Sequence, residues 1–226
     1  MRALPSPLLV VTDRLANPVP SAGEGAPRVN ARHLLLATID AVLAGGAGWV
    51  WFRERDMDEA SRRTLAIAVM IRVHAGGGTF SLGGDAALAA EIGADGVHLP
   101  GGTSGDAIRR ARDLLPDGIV GTSAHILGEI EVAAKAGANY ATLSPVFPTA
   151  SKPGYGPALG TAALRAASAF GMPVIALGGI TPINAGDCRD AGAAGIAVMG
   201  GVMRATDPAR AAAAFLDGWA QRPDGP

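Results

Sequence analysis

One histidine, one arginine and two glycine pairs carry most of the chemistry this sequence offers. His125 closes the segment Gly121-Thr122-Ser123-Ala124-His125, and an imidazole gives and takes protons near neutral pH. Arg53 ends the run Trp49-Val50-Trp51-Phe52, and its planar guanidinium suits a phosphate, pyrophosphate or carboxylate. Leu177-Gly178-Gly179-Ile180-Thr181 and Val198-Met199-Gly200-Gly201 place glycines directly after apolar runs. Glycine lets the backbone approach an anion, and the free amides of a following helix complete a cradle. Thr149, Ser151 and Lys152 add two hydroxyls and an ammonium that could grip a phosphate or a polar ring substituent. Each has a plainer reading beside it: an Arg53–Glu54 ion pair, a hydrogen-bonded rim histidine, glycines that only turn the chain.

The other histidines offer less. His98 lies inside an apolar run and reads as structural, while His33 and His74 read as helix-surface residues. The four share no metal-ligand spacing, so no metal site is expected from them.

These residues need a scaffold that brings distant segments together, and an alternation along the chain supplies it. Apolar, β-branched runs recur at 8–12, 49–53, 79–82, 96–99, 119–123, 140–144, 173–177 and 196–199. Helical patterns lie between or after them, near 31–44, 57–72, 85–92, 104–115, 127–136, 160–170, 182–191 and 208–220. Runs that are apolar on both faces suit parallel strands covered by helices. Eight strand–helix units predict an α/β fold, a single (β/α)8 TIM barrel spanning 1–226. Long loops at 14–29 and 145–160 follow strand ends on the face where barrels build sites, and 221–226 reads as a frayed tail. Period two puts Trp49, Trp51 and Arg53 on one strand face, with Arg53 inward at the mouth.

Composition narrows the partners. Lys plus Arg number 19 and Asp plus Glu 20, a net charge of −1, which leaves no basic surplus for nucleic acid or an anionic membrane. Cys188 is the only cysteine; it reads as a buried filler and suits a reducing compartment. The apolar N-terminal stretch soon meets Asp13 and Arg14, too early for a signal segment. The expectation is a soluble, cytoplasmic protein, with the two tryptophans and apolar helices leaving room for a homodimer.

Seven segments together resemble the thiamine phosphate synthase and thiazole tautomerase (TenI) superfamily. They are VTDR (11–14), WFRERD (51–56), GADGVHLP (93–100), VGTSAH (120–125), GANYATLSPVFPTASK (137–152), ALGGITPIN (176–184) and AGAAGIAVMGG (191–201). The resemblance implies a small phosphorylated thiazole as substrate. Its synthase branch joins a pyrimidine pyrophosphate to thiazole phosphate with Mg²⁺ held by two aspartates. Here the third-strand Asn-Asp pair that carries the first aspartate aligns with Gly83-Gly84, the second aspartate position is Thr103, and the pyrophosphate pattern Gln-x-Arg-x-Lys reads Trp51-Phe52-Arg53-Glu54-Arg55. Asp85 and Asp106 are the nearest carboxylates that could substitute.

The tautomerase branch moves a proton to make a carboxylated thiazole aromatic and needs no metal; its acid/base histidine matches His125. The favoured expectation is therefore a metal-independent tautomerase without a cofactor. In it Arg53 meets the carboxylate, and Gly178, Gly179, Met199 and Gly200, with Thr149, Ser151 and Lys152, hold the phosphate. The Mg²⁺-dependent synthase is the alternative, and a non-catalytic barrel binding a thiamine intermediate is the third.

Overall fold

The computed structural model describes residues 3–16, 30–149 and 157–221. Its eight strands are β1 (Leu8–Val11), β2 (Trp49–Phe52), β3 (Thr79–Gly83), β4 (Gly96–Leu99), β5 (Ile119–Ala124), β6 (Tyr140–Leu143), β7 (Val174–Leu177) and β8 (Gly195–Val198). All pair in parallel, and β8 returns to β1, which closes the sheet. The helices are α1 (Ala31–Ala44), α2 (Glu59–Ala75), α3 (Ala86–Ile92), α4 (Gly105–Leu114), α5 (Leu127–Lys135), α6 (Gly160–Ser168), α7 (Ala185–Asp190), α8 (Gly200–Met203) and α9 (Pro208–Ala220). The (β/α)8 barrel expected from the alternation is the observed fold.

Helix ends follow from local chemistry. Asn30, Asp58, Asp85, Ser104 and Asp207 each accept a hydrogen bond from the amide three residues on, which satisfies an amide that lacks a partner within its helix. Gly93, Gly137 and Gly192 adopt positive φ just past α3, α5 and α7. The next amides, of Ala94, Ala138 and Ala193, then return to carbonyls five residues back, and the chain leaves each helix toward the next strand. Two expectations need adjustment. The seventh helix starts at Ala185, because Thr181, Pro182 and Ile183 form a preceding turn in which the Thr181 hydroxyl accepts from the Asn184 amide at 3.3 Å. The short helix α8, directly after β8, falls in a glycine-rich segment with no helical pattern of its own.

Two apolar layers result. A continuous layer between strands and helices includes Ile39, Val69, Ile130, Leu164 and Phe215. The barrel interior holds Leu9, Val11, Trp49, Trp51, Ile119, Tyr140, Ile175 and Ala197. Trp49 and Trp51 are 0% and 2% exposed, so they present no aromatic surface for the dimer contact they had suggested. Elsewhere in the barrel glycines make room for their neighbours on the adjacent strand: a side chain at Gly121 would fall inside the Tyr140 ring, and one at Gly96 would meet the Ile119 carbonyl. Cys188 is buried on α7, where burial and then the Asp187 charge push its thiol up to about 12. Among the described residues no helix is long and apolar enough to cross a membrane.

Tyr140 cannot retreat, because Trp49 meets it edge-on at 4.8 Å. Gly121→Ala should therefore cost about 3 kcal/mol, the upper part of the range for overpacked cores. Urea unfolding would show it as a lower midpoint at unchanged slope.

Candidate functional site

The carboxyl ends of β1, β2, β6, β7 and β8 open on a cavity of about 330 Å³. It is lined by Arg53, Thr149, Gly178, Gly179, Met199 and Gly200, six of the residues picked from sequence, together with Trp51, Ser144, Thr181 and Arg204. Ser151 and Lys152 lie outside the described residues, as do positions 17–29 of the loop after β1.

The two glycine pairs sit differently. Gly178 and Gly179 have φ of +93° and +68°. A Cβ on Gly178 would stand 2.9 Å from Pro145 Cα, and one on Gly179 would stand 2.7 Å from Phe147 Cβ. Between them the Val146 amide donates to Leu177 O at 2.9 Å and the Phe147 amide to Gly178 O at 3.0 Å. These glycines therefore dock the loop after β6 onto the end of β7, and so bring Thr149 to the cavity. Gly200 and Gly201 begin α8, whose Val202 and Met203 amides return to Met199 O. The first amides of a helix have no partner within it, and Gly200 and Gly201 both line the cavity.

Arg204 lies one turn beyond Gly200, close enough that a Cβ on Gly200 would collide with its guanidinium. Sequence reasoning missed it. The available signal was an arginine four residues after a glycine that heads a helix, a spacing that puts both on one helix face.

Arg53 escapes the ion pair weighed against it. Buried Glu54, 2% exposed, accepts from the Arg14 amide at 3.1 Å and from Arg14 Nη1 at 3.0 Å. Asp56 takes the same guanidinium at 2.6 and 2.7 Å. Its hydrogen bond, opposed by burial and joined by Glu54, raises the Arg14 pKa and lowers that of Asp56. The backbone of Arg53 is fixed separately, its amide donating to Thr12 Oγ1 at 2.9 Å, while its side chain faces the cavity.

His125 does not line the cavity. Its Nδ1 lies 2.9 Å from Ser144 O and 3.3 Å from Ser144 Oγ, and Ser144 does line it. A carbonyl only accepts, so Nδ1 carries the hydrogen and the basic lone pair of the neutral ring is on Nε2. His98 is deep in the barrel, as its place within a strand suggested. Its Nδ1 is 2.8 Å from the Tyr140 hydroxyl and its Nε2 3.0 Å from Ser123 Oγ. Trp51 lies against its ring at a centroid distance of 3.7 Å.

The positions matching the family's metal aspartates carry no carboxylate: they are Gly84, where a Cβ would meet nothing within 4 Å, and Thr103. A side chain at Gly83 would stand 2.7 Å from Phe52 O and 2.9 Å from Trp51 Nε1, an indole nitrogen that is buried with no partner. Thr103 spends its hydroxyl on Pro100 O at 2.6 Å. Asp85 caps α3 by accepting from the Leu88 amide, and exposed Asp106 pairs with Arg109 at 2.5 Å. Among the described residues, no three His, Cys, Asp or Glu side chains group as a metal site would need.

Burial above all, then the charges of Arg55 and Arg53, holds His98 well below its ordinary value of 6.5. The unfolded chain therefore binds one proton more than the folded chain below that pH. The stability linked to His98 is complete above pH 6.5 and is lost as pH falls. Between pH 6.5 and about 5.5 the wild type should lose about 1 kcal/mol more than His98→Gln, measured by urea unfolding at each pH.

The family described as thiamine monophosphate synthase matches residues 26–202. The chain is 40% identical over 186 residues to the thiamine-phosphate synthase of Chromobacterium violaceum, covering 82% of this chain and 88% of that one. It is 41% identical over 177 residues to the thiamine-phosphate synthase of Xanthomonas campestris, covering 76% and 83%. The solved thiamine phosphate pyrophosphorylase of Pyrococcus furiosus superposes with a TM-score of 0.75 at 27% identity, over 92% of each chain.

Proposed function

Because the chain belongs to the thiamine monophosphate synthase family, we propose that it is a thiamine-biosynthesis enzyme whose barrel mouth binds a thiazole phosphate. The reading preferred on geometry is a metal-independent tautomerisation of carboxythiazole phosphate. One observation carries that preference: Gly84 and Thr103 stand at the two aspartate positions, and among the described residues no three His, Cys, Asp or Glu side chains group as a metal site would need.

In this reading the amides around Gly179 and Gly200 hold the phosphate, and the Arg204 guanidinium adds charge beside them. Thr149 closes one side, and Ser151 and Lys152 are assigned to the same closure on sequence alone. Arg53 faces the carboxylate. His125 is assigned the proton transfer from one carbon to another on the family resemblance; its Nδ1 is anchored on the carbonyl of Ser144, which lines the cavity, while the ring itself stands off the cavity wall. The product is an isomer, so no proton or electron pair is left over, and the aromatic ring drives the step.

The names of the relatives favour a second reading. Thiamine-phosphate synthases at 40% and 41% identity suggest a transferase that joins hydroxymethylpyrimidine pyrophosphate to thiazole phosphate, a reaction that uses Mg²⁺ in the family. Incubating both precursors with Mg²⁺ and with EDTA separates the two. The preferred reading expects no thiamine phosphate in either, and aromatisation of carboxythiazole phosphate in both. Product that requires Mg²⁺ would establish the synthase instead. Tight binding with turnover of neither substrate would point to a non-catalytic binder.

A positioned acid/base is typically worth roughly 10²–10⁴ in rate. His125→Asn should lower kcat for aromatisation by about that factor while thiazole phosphate still binds; unchanged turnover would remove His125 from the mechanism.

A further inference from the structure

The two tryptophans of β2 treat their indole nitrogens differently. Trp49 donates its N–H to Ser81 Oγ at 2.9 Å. Trp51 is almost as deeply buried, but among the described residues its Nε1 has no hydrogen-bond partner. Its edge rests against Gly83, whose carbonyl accepts from Arg62 Nη2 on α2, and its ring lies on His98. A buried indole normally finds an acceptor, because an orphaned N–H forfeits the bond it made to water. Phenylalanine or leucine would supply apolar bulk here without that cost. Filling the barrel therefore leaves the choice of an indole unexplained.

Trp51 also differs from Trp49 in lining the cavity. Its neighbour on β1, Val11, lines it too, as do Leu177 on β7 and its neighbour Ala197 on β8. All four belong to the apolar cluster of the barrel interior, one layer below Arg53, so they form the floor of the cavity. Val11, Leu177 and Ala197 carry no side-chain donor or acceptor, and the one donor of the indole is turned toward Gly83. A floor of this kind holds a ligand by surface rather than by hydrogen bonds. An aromatic ring gains more from an indole than an aliphatic group does, because the two π systems stack.

We propose that Trp51 is the specificity-determining residue of the mouth: the floor it forms with Val11, Leu177 and Ala197 takes the flat face of an aromatic ring and so selects ring-bearing phosphate esters over ring-free ones. The proposal rests on the thiazole phosphate reading above and assigns a place to the ring of that substrate.

The test titrates three esters calorimetrically, thiazole phosphate, 2-phenylethyl phosphate and ethyl phosphate, with tryptophan fluorescence recorded alongside. Stacking should make both ring-bearing esters bind roughly tenfold tighter than ethyl phosphate. They should also quench part of the emission, which ethyl phosphate should leave unchanged. Trp51→Leu should shrink the preference several-fold and remove the quenching. Trp51→Phe should retain most of the preference, which separates aromatic stacking from apolar burial. Ethyl phosphate affinity, nearly equal in all three proteins, reports that the phosphate site is still folded. A wild-type preference near one overturns the floor, as does a preference that survives Trp51→Leu undiminished. Preference for 2-phenylethyl phosphate without binding of thiazole phosphate upholds the floor and overturns the thiazole phosphate reading. Binding of none of the three overturns both.

Discussion

Trp51 lies against His98, with the edge of its indole toward Gly83. It stands where strand period puts an inward side chain, one layer below Arg53. That volume is the constraint on the β2–β4 side of the mouth. With the indole in place, position 83 has no room for a side chain, and His98 is sealed from water and kept neutral. A side chain could not be added at position 83 without moving a buried aromatic ring, which dense packing resists, whereas Gly84 beside it has open space. The mouth keeps groups that stand above this layer: Arg53 and Arg55 from the strand end, and Arg62 from the helix behind it.

The far side of the mouth is organised by backbone rather than by charge. Gly178 and Gly179 make possible the close approach of the 145–149 segment, and the two amide bonds to Leu177 and Gly178 hold it. This qualifies the reading of those glycines as phosphate binders. Their lack of a side chain is already required by packing, and any anion binding is an added use of the same amides. Gly200 and Gly201 differ, since they begin a short helix that faces the cavity. The two sides together give one opening with a cradle for a phosphate and, across it, a cationic edge.

Arg14 connects the parts. By taking both Glu54 and Asp56, it occupies the acids that flank Arg53 and Arg55 in sequence. The segments VTDR and WFRERD thus act as a unit: one arginine is used structurally so that two others stay available. Read separately, Arg53 and Glu54 had seemed natural partners. Adjacent residues of an extended chain point to opposite sides, however, which makes Arg14 on the neighbouring strand end the nearer partner for Glu54.

The sequence by itself determined the architecture. Eight apolar runs, the helices between them and the glycines that end those helices follow from local periodicity and capping, which act within a few residues. It also located the mouth, since strand ends are fixed once the strands are, and Arg53, Thr149 and the two glycine pairs came with them. Only the tertiary structure decided what each group meets. It put Arg204 beside Gly200, left His125 behind Ser144 rather than on the cavity wall, gave Glu54 to Arg14, and brought Arg62 over Gly83. These partners are separated by as many as 40 residues along the chain, and their pairing depends on register around the closed barrel and on how large rings fill its centre. No local pattern encodes that, because it is a property of volumes packed together rather than of residues in order.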